Sequence, residues 1–328
     1  MGFEIYLNEI KGKKVLILGG LGFVGHNLIK FLIDNYSCEI ICIDNCINSS
    51  PAILNGYLDK ITFLKLDAEK LEEYEGHIIS SDYIFNLACI QVAHSADDPL
   101  EDLRVNASVN LRILEFIRRN KVSGIKKFVY TSSCSVYGHS SKLPVSEQDN
   151  IKPLSHYAAT KYLGERYTIL YNKLFGIPTT TLRYSNVYGV GQNANNPYCG
   201  VLGIFIKQAL TGDSLTIIGD GEQTRDYTYI TDAVKATILA AVHNESTGDT
   251  FNIATCKETS VNQLVDIIRL FVNDLSVKQI PERDIDNIRR RLIDIEKINT
   301  KLGWAPQVSL IKGIGLTLDW YKKELNIV

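Results

Sequence analysis

The segment KVLILGGLGFVGHNLIKFLIDN, residues 14–35, restricts the fold more than any other stretch of the chain. It starts as a short apolar run, which reads as a strand buried on both faces. The run breaks into Gly19, Gly22 and Gly25, spaced three and three, and then continues with apolar residues at helical spacing. Glycines in that pattern permit a tight turn, close approach of a pyrophosphate and close packing of the helix. The first helical turn, with Phe23 and Val24, then meets the phosphate charge. A second strand-like run, EIICIDN (39–45), ends in Asp44, 19 residues after Gly25, with Asn45 next. An acid there accepts hydrogen bonds from the adenine ribose hydroxyls and repels a 2′-phosphate, so the expected cofactor is NAD rather than NADP. The competing reading is a tight turn with a capping aspartate. The complete strand–turn–helix–strand context disfavours it.

The same alternation continues. Strand-like runs occur at ITFLKLD (61–67), YIFNLAC (83–89), KKFVYTSS (126–133) and TTTLRYSNVYG (179–189), separated by patterns such as VNLRILEFIRRN that are apolar at helical spacing. Strand and helix in alternation imply a parallel sheet covered on both faces. Right-handed crossovers make it a doubly wound, Rossmann-type α/β fold. Asp67, ending the third run with Ala68 after it, is placed to reach the adenine or to cap AEKLEEY. Leu87 and Ala88 at the end of the fourth run, and Tyr184 at the end of the sixth, complete the cofactor candidates. After about residue 190 the pattern loosens. A polar loop (193–201) is followed by a helix (204–211), the strand LTIIG, a helix (231–243), the strand DTFNIA, the segment VNQLVDIIRLFVND, a charged stretch (282–297) and a closing helix near 310–325. Residues 1–185 are expected to form the NAD-binding domain, with segments near 226–254 returning to it. Residues 186–328 are expected to form mainly a smaller α/β substrate-binding domain.

Charge excludes some functions. With 35 basic and 37 acidic residues the net charge is −2, which leaves no electrostatic footprint for nucleic acid. No apolar run reaches the ~18 residues that span a bilayer. The beginning MGFEIYLNEIKGKK lacks the apolar core of a signal peptide and has Tyr6 where a myristoylation motif needs Ser or Thr. A cytoplasmic protein with neither a nucleic-acid nor a membrane partner is expected. The seven cysteines have no paired spacing and read as free thiols. Cys38, Cys42 and Cys46 recur every four residues, but along a strand that step covers about 13 Å, too far to ligate one ion. No metal is expected.

Catalytic chemistry is suggested by HYAATKYLGERY, where Tyr157 and Lys161 share a helix face. A tyrosine has a pKa near 10. An adjacent ammonium and an oxidised nicotinamide favour its phenolate and make it a general base. Upstream, FVYTSSCSVYGH (128–139) ends a buried strand in a cluster of hydroxyls, which serve either as caps or as chemistry.

Taken together, GGLGFVG, Asp44, TSSCSVYG, YAATK, LRYSNVYG, GDGEQTRDYTYITD and LGWAP resemble the extended short-chain dehydrogenase/reductases, the NAD-dependent epimerase/dehydratase family. The resemblance spans roughly residues 13–308. It implies oxidation at C4 of a nucleotide-diphosphate sugar. Ser133 would polarise the reacting hydroxyl, Tyr157 act as base, and Lys161 hold the nicotinamide ribose. It also implies Asn186 near the sugar or diphosphate, Arg225 and Arg289 on the diphosphate, and Asn106 anchoring the loop behind the nicotinamide. His94, Cys134 and Val201 are further substrate-binding candidates. Arg289-Arg290-Arg291 reads equally as a solvated face, His94 as a solvated loop residue and Cys134 as packing.

The two residues after Ser133 limit the reaction. The family's 4,6-dehydratases carry Asp-Glu there, and its UDP-glucuronate decarboxylases keep the Glu. Here they are Cys134 and Ser135, which disfavours both reactions. Two outcomes remain open, a nucleotide-sugar 4-epimerase and a net 4-dehydrogenase releasing the keto sugar. A non-catalytic NAD-binding scaffold would be expected to lack Ser133, Tyr157 or Lys161. The lysine that UDP-galactose 4-epimerases carry after strand four is absent from CIQVAHSADDP, so the nucleotide and sugar stay open. The resemblance further implies cell-surface polysaccharide or glycoconjugate precursors as the product. It also implies a homodimer through a four-helix bundle of helices near 100–120 and 156–173.

Overall fold

The computed structural model describes residues 4–194, 199–282, 288–325 and 327. Residues 195–198 of the polar loop and 283–287 of the charged stretch therefore lie outside the described residues. Among the described residues there are twelve strands: β1 (Lys14–Leu18), β2 (Glu39–Asp44), β3 (Ile61–Lys65), β4 (Tyr83–Asn86), β5 (Lys127–Ser133), β6 (Thr179–Tyr184), β7 (Asn186–Tyr188), β8 (Leu215–Ile218), β9 (Thr224–Tyr229), β10 (Thr250–Ile253), β11 (Glu258–Ser260) and β12 (Val277–Ile280). The main helices are α1 (Phe23–Tyr36), α2 (Val109–Arg119), α3 (His156–Phe175), α4 (Val201–Thr211), α5 (Ile230–Val242) and α6 (Leu310–Glu324).

Seven strands form one parallel sheet in the order β3-β2-β1-β4-β5-β6-β10. Side chains alternate across it. Val15 and Ile17 enter one core with Leu28, Val129 and Phe251, while Leu16 and Leu18 enter the other with Ile113, Phe128 and Tyr130. Both faces are covered, which is why β1 reads as an unbroken apolar run. The chain leaves β1 toward β2 and β3, then returns to the other side of β1 for β4, β5 and β6. That reversal leaves a crevice above the carboxyl ends of β1 and β4.

The run TTTLRYSNVYG is two strands rather than one. Ser185 donates its N–H to Ile253 at 2.9 Å and shares a 2.7 Å hydroxyl hydrogen bond with Thr228. It is therefore the point where β6 stays beside β10 and β7 departs to pair with β9 in a small sheet with β11. The helix expected near 100–120 begins as Pro99–Leu103, passes through a π turn at Arg104–Ser108, and only then becomes α2. A π turn of this kind commonly marks a functional element.

Trp304 of LGWAP is fully buried in the larger core. Trp304→Ala should lower stability by about 3–5 kcal/mol, read as a reduced urea midpoint with little change in slope.

Candidate functional site

Above the switch point lies a cleft of about 820 Å³. Its floor is the glycine turn. Gly19 has φ +72°, and a Cβ there would lie 2.7 Å from the backbone nitrogen of Ala88. A Cβ on Gly25 would lie 2.7 Å from the Cα of Gly20. The turn is thus closed by backbone against backbone, and a side chain would fill the cradle. Gly22 caps α1 without a side-chain acceptor, leaving first-turn N–H groups for an anion. Asp44 stitches this turn to β2: one carboxylate oxygen accepts from Leu21 N at 3.0 Å, the other from Cys46 N and Ser49 Oγ at 2.9 Å each. The backbone cradle, the uncapped helix start and the acid at the second strand fit a dinucleotide with an unphosphorylated ribose.

Seventeen of the sequence-predicted residues line the cleft. Gly19, Gly22, Phe23, Val24, Gly25, Asp44, Asn45, Asp67 and Ala68 form the dinucleotide end, and Leu87, Ala88, His94, Ser133, Tyr157, Lys161, Tyr184 and Asn186 the other. Asp67 takes part in two interactions at once. It accepts from Glu69 N at 2.9 Å, as a cap would, and receives a two-pronged bond from Arg104 at 3.1 Å per contact. Burial pushes its pKa up, and Arg104, the Glu69 N–H and Asn45 together more than offset this, leaving it below the usual carboxylate value.

At the reacting end, Lys161 is buried and its Nζ donates to Thr131 O at 2.9 Å. The Lys161 Nζ stands 5.9 Å from the Tyr157 ring centre, and Tyr157 hydrogen-bonds with Ser133. Burial raises the Tyr157 phenol well above its ordinary pKa, and Cys89 adds to this, while the Ser133 hydrogen bond opposes it. A phenolate at neutral pH therefore needs positive charge nearby, while burial lowers the pKa of the adjacent Lys161 ammonium. The hydroxyl cluster turns out to be both cap and cleft wall. The Ser133 Oγ accepts from Ser135 N at 3.1 Å and also lines the cleft.

Five candidates are not brought to the cleft. Asn106 is fully buried behind it, where its side chain accepts from Ile90 N at 2.9 Å and donates to Ile90 O at 3.2 Å. Cys134 points into a separate core, its thiol donating to Arg183 O at 3.4 Å. Val201 opens α4 and packs on the main core. Arg225 donates to the carbonyls of Thr224 and Ile288 at 2.8 and 2.7 Å. Arg289 forms an exposed two-pronged pair with Asp220 at 2.7 and 2.8 Å. Two residues on, Arg291 is 8% exposed and its Nη2 has no hydrogen-bond partner. The run of three arginines is therefore solvated at its first two members only.

Other lining residues carried no sequence signal. Trp320, Tyr321 and Glu324 of α6, together with Lys207 of α4, reach the cleft from the far end of the chain. Tyr321 hydrogen-bonds to Gln192 O, fixing α6 there. Cys89 and Thr131 were indistinguishable from ordinary strand-end residues.

The sequence profile described as the NAD dependent epimerase/dehydratase family matches residues 15–254. The chain belongs to that family. The UDP-glucose 4-epimerase of Mycolicibacterium smegmatis is 32% identical, with 95% of this chain and 99% of that protein covered. Among solved structures, the Thermotoga maritima UDP-glucose 4-epimerase with UDP-glucose is 33% identical, covers 95% of this chain and 99% of its own, and has a TM-score of 0.87. The Bacillus cereus UDP-glucuronic acid 4-epimerase, solved with UDP-glucuronic acid and NAD, is 28% identical, covers 94% and 99%, and has a TM-score of 0.84.

Because Gly19 abuts Ala88 and has positive φ, Gly19→Ala should weaken NAD binding about 10- to 100-fold by calorimetry. Wild-type affinity would mean that the turn does not hold the cofactor.

Proposed function

We propose that this protein is an NAD-dependent 4-epimerase of a UDP-linked sugar. The observation that carries the reading is the convergence of Ser133, Tyr157 and Lys161 on one end of the cleft, with no carboxylate at positions 134 and 135. At the positions where elimination or decarboxylation would need carboxylates, Cys134 turns into a core and Ser135 offers only a hydroxyl. The relatives and solved neighbours named as UDP-sugar 4-epimerases favour epimerisation over release of the keto sugar.

NAD, when bound, supplies the acceptor and later the donor of the C4 hydride. The rest is done by the chain. Asp44, the glycine turn and the first turn of α1 hold the dinucleotide. Ser133 hydrogen-bonds the C4 oxygen and shields its developing charge. Tyr157, as phenolate, takes the C4 hydroxyl proton when the sugar is oxidised and returns it when the ketone is reduced. Lys161 stabilises that phenolate electrostatically from a site anchored on β5. Residues 186–328, mainly, form the substrate side, with Asn186 near the sugar. Turnover of the 4-keto sugar within the cleft presents its other face, so reduction inverts C4 and restores the cofactor.

The exposed face of α3 carries Leu163, Leu170 and Leu174, with Leu100 and Leu103 nearby. Such a stripe supports a homodimer formed through α2 and α3. Seven unpaired cysteines support a reducing, cytoplasmic setting. A role in polysaccharide precursor supply follows from the product class.

Two measurements test this reading. Incubated with a panel of UDP- and GDP-sugars, the protein should convert a UDP-sugar to an isomer of unchanged mass, and Tyr157→Phe should lower turnover about 1000-fold. A product lighter by two hydrogens would make it a net dehydrogenase. Leu170→Glu combined with Leu174→Glu should halve the mass by light scattering, and an unchanged mass would place the interface elsewhere.

A further inference from the structure

Behind the cleft lies a buried carboxylate that the reaction above does not use. Asp102 is fully buried at the end of the short helix preceding the π turn. One oxygen accepts from the Thr160 hydroxyl at 2.7 Å, and the other accepts from the side-chain amide of Asn106. These two donors lead to the two walls of the reacting end. Thr160 is the residue before Lys161 on α3, and its hydroxyl also lies 3.0 Å from Tyr157 O. Asn106 holds the backbone of Ile90, next to Cys89 in the loop after β4, and its own carbonyl accepts from Tyr130 Oη at 2.7 Å. Tyr130 in turn lies under Lys161, with Nζ 5.3 Å from its ring centre. The π turn at Arg104–Ser108 carries Asn106 within this network.

We propose that Asp102 is a positioning residue that ties α3 to the loop after β4 and supplies the fixed negative charge opposite the Lys161 ammonium. A buried carboxylate with only neutral hydrogen-bond donors is costly unless an opposite charge lies close. Lys161 and His156 both act on it favourably. Burial pushes the Asp102 carboxyl above its ordinary pKa, and Thr160, Lys161 and Asn106 offset this only in part. The groups that shift Tyr157 are Cys89, Ser133, Asp102 and, through space from its own core, Cys134, and those that shift Lys161 are Cys89, Asp102 and Glu165. His156 is the second cation near Asp102. Burial lowers the Lys161 pKa, and Asp102 opposes this with Cys89 and Glu165 while raising the pH at which Tyr157 ionises, so its charge tunes the working pH of the base.

The proposal rests on Tyr157 being the base, and the experiment separates the two. The pH dependence of kcat/KM is measured with the preferred UDP-sugar for wild type, Asp102→Asn, Thr160→Val and Tyr157→Phe. Removing one negative charge lowers every neighbouring pKa, so both limbs of the Asp102→Asn profile should move about one unit toward acid. Thr160→Val keeps the charge but cuts the tie to α3. Its kcat should fall about tenfold with both limbs in place. A purely structural aspartate would lower the amplitude of the Asn variant without moving its limbs, and that result overturns the proposal. If Asp102→Asn does not fold, Thr160→Val decides: unchanged kcat overturns the proposal. Full activity in Tyr157→Phe would instead overturn the reading of the base.

Discussion

The backbone of Gly19 lies against that of Ala88 so closely that no side chain fits between them. This contact joins the carboxyl ends of β1 and β4, the two strands between which the chain reverses direction. Everything at the site is measured from it. On one side the glycine turn opens α1, and Asp44 braces the turn from β2. On the other, the loop after β4 runs on to Cys89 and Ile90, where Asn106 holds it. β5 then sets Thr131 under Lys161 and Ser133 beside Tyr157. A Cβ at Gly19 would push the two strand ends apart and disturb both halves of the cleft.

The reacting end combines groups that burial would otherwise disarm. Burial drives a phenol toward the neutral form and a lysine away from the ammonium. The chain answers with position: Lys161 is held by a carbonyl of β5, within 6 Å of the Tyr157 ring, and the preceding Thr160 is bonded to Asp102. Ser133 caps the turn that follows β5, which fixes its oxygen on the cleft wall. The absence of carboxylates at Cys134 and Ser135 leaves the site one proton shuttle and one hydride path, which suits a reversible inversion and not an elimination.

Much of this was legible before any coordinates. The strands carry their apolar runs because both sheet faces are covered, and the glycines and Asp44 have backbone reasons for their spacing. What the sequence concealed lies where tertiary contact overrides local pattern. Asn106 stood out through the family resemblance, whereas Asp102 beside it carries no sequence signal of its own. Its partner Thr160 belongs to another helix. Arg289 matched a motif, yet Asp220 lies within reach and holds it at the surface, while Arg291 in the same short segment is buried. Cys134 carries the chemistry of a thiol but is directed toward Arg183 by the turn that Ser133 caps. Tyr321 and Trp320 reach the cleft only because α6 packs there, and no local pattern encodes that packing.

The central claim is that one hydride leaves C4 and comes back to C4 inside a single cleft. A UDP-sugar substrate carrying deuterium at C4 tests it directly, with the epimer isolated and its label located by mass spectrometry and NMR. The account predicts an inverted product that keeps its deuterium at C4, with no label in solvent or in released cofactor. Loss of the label to solvent, or deuterated NADH leaving with the sugar still oxidised, would contradict it.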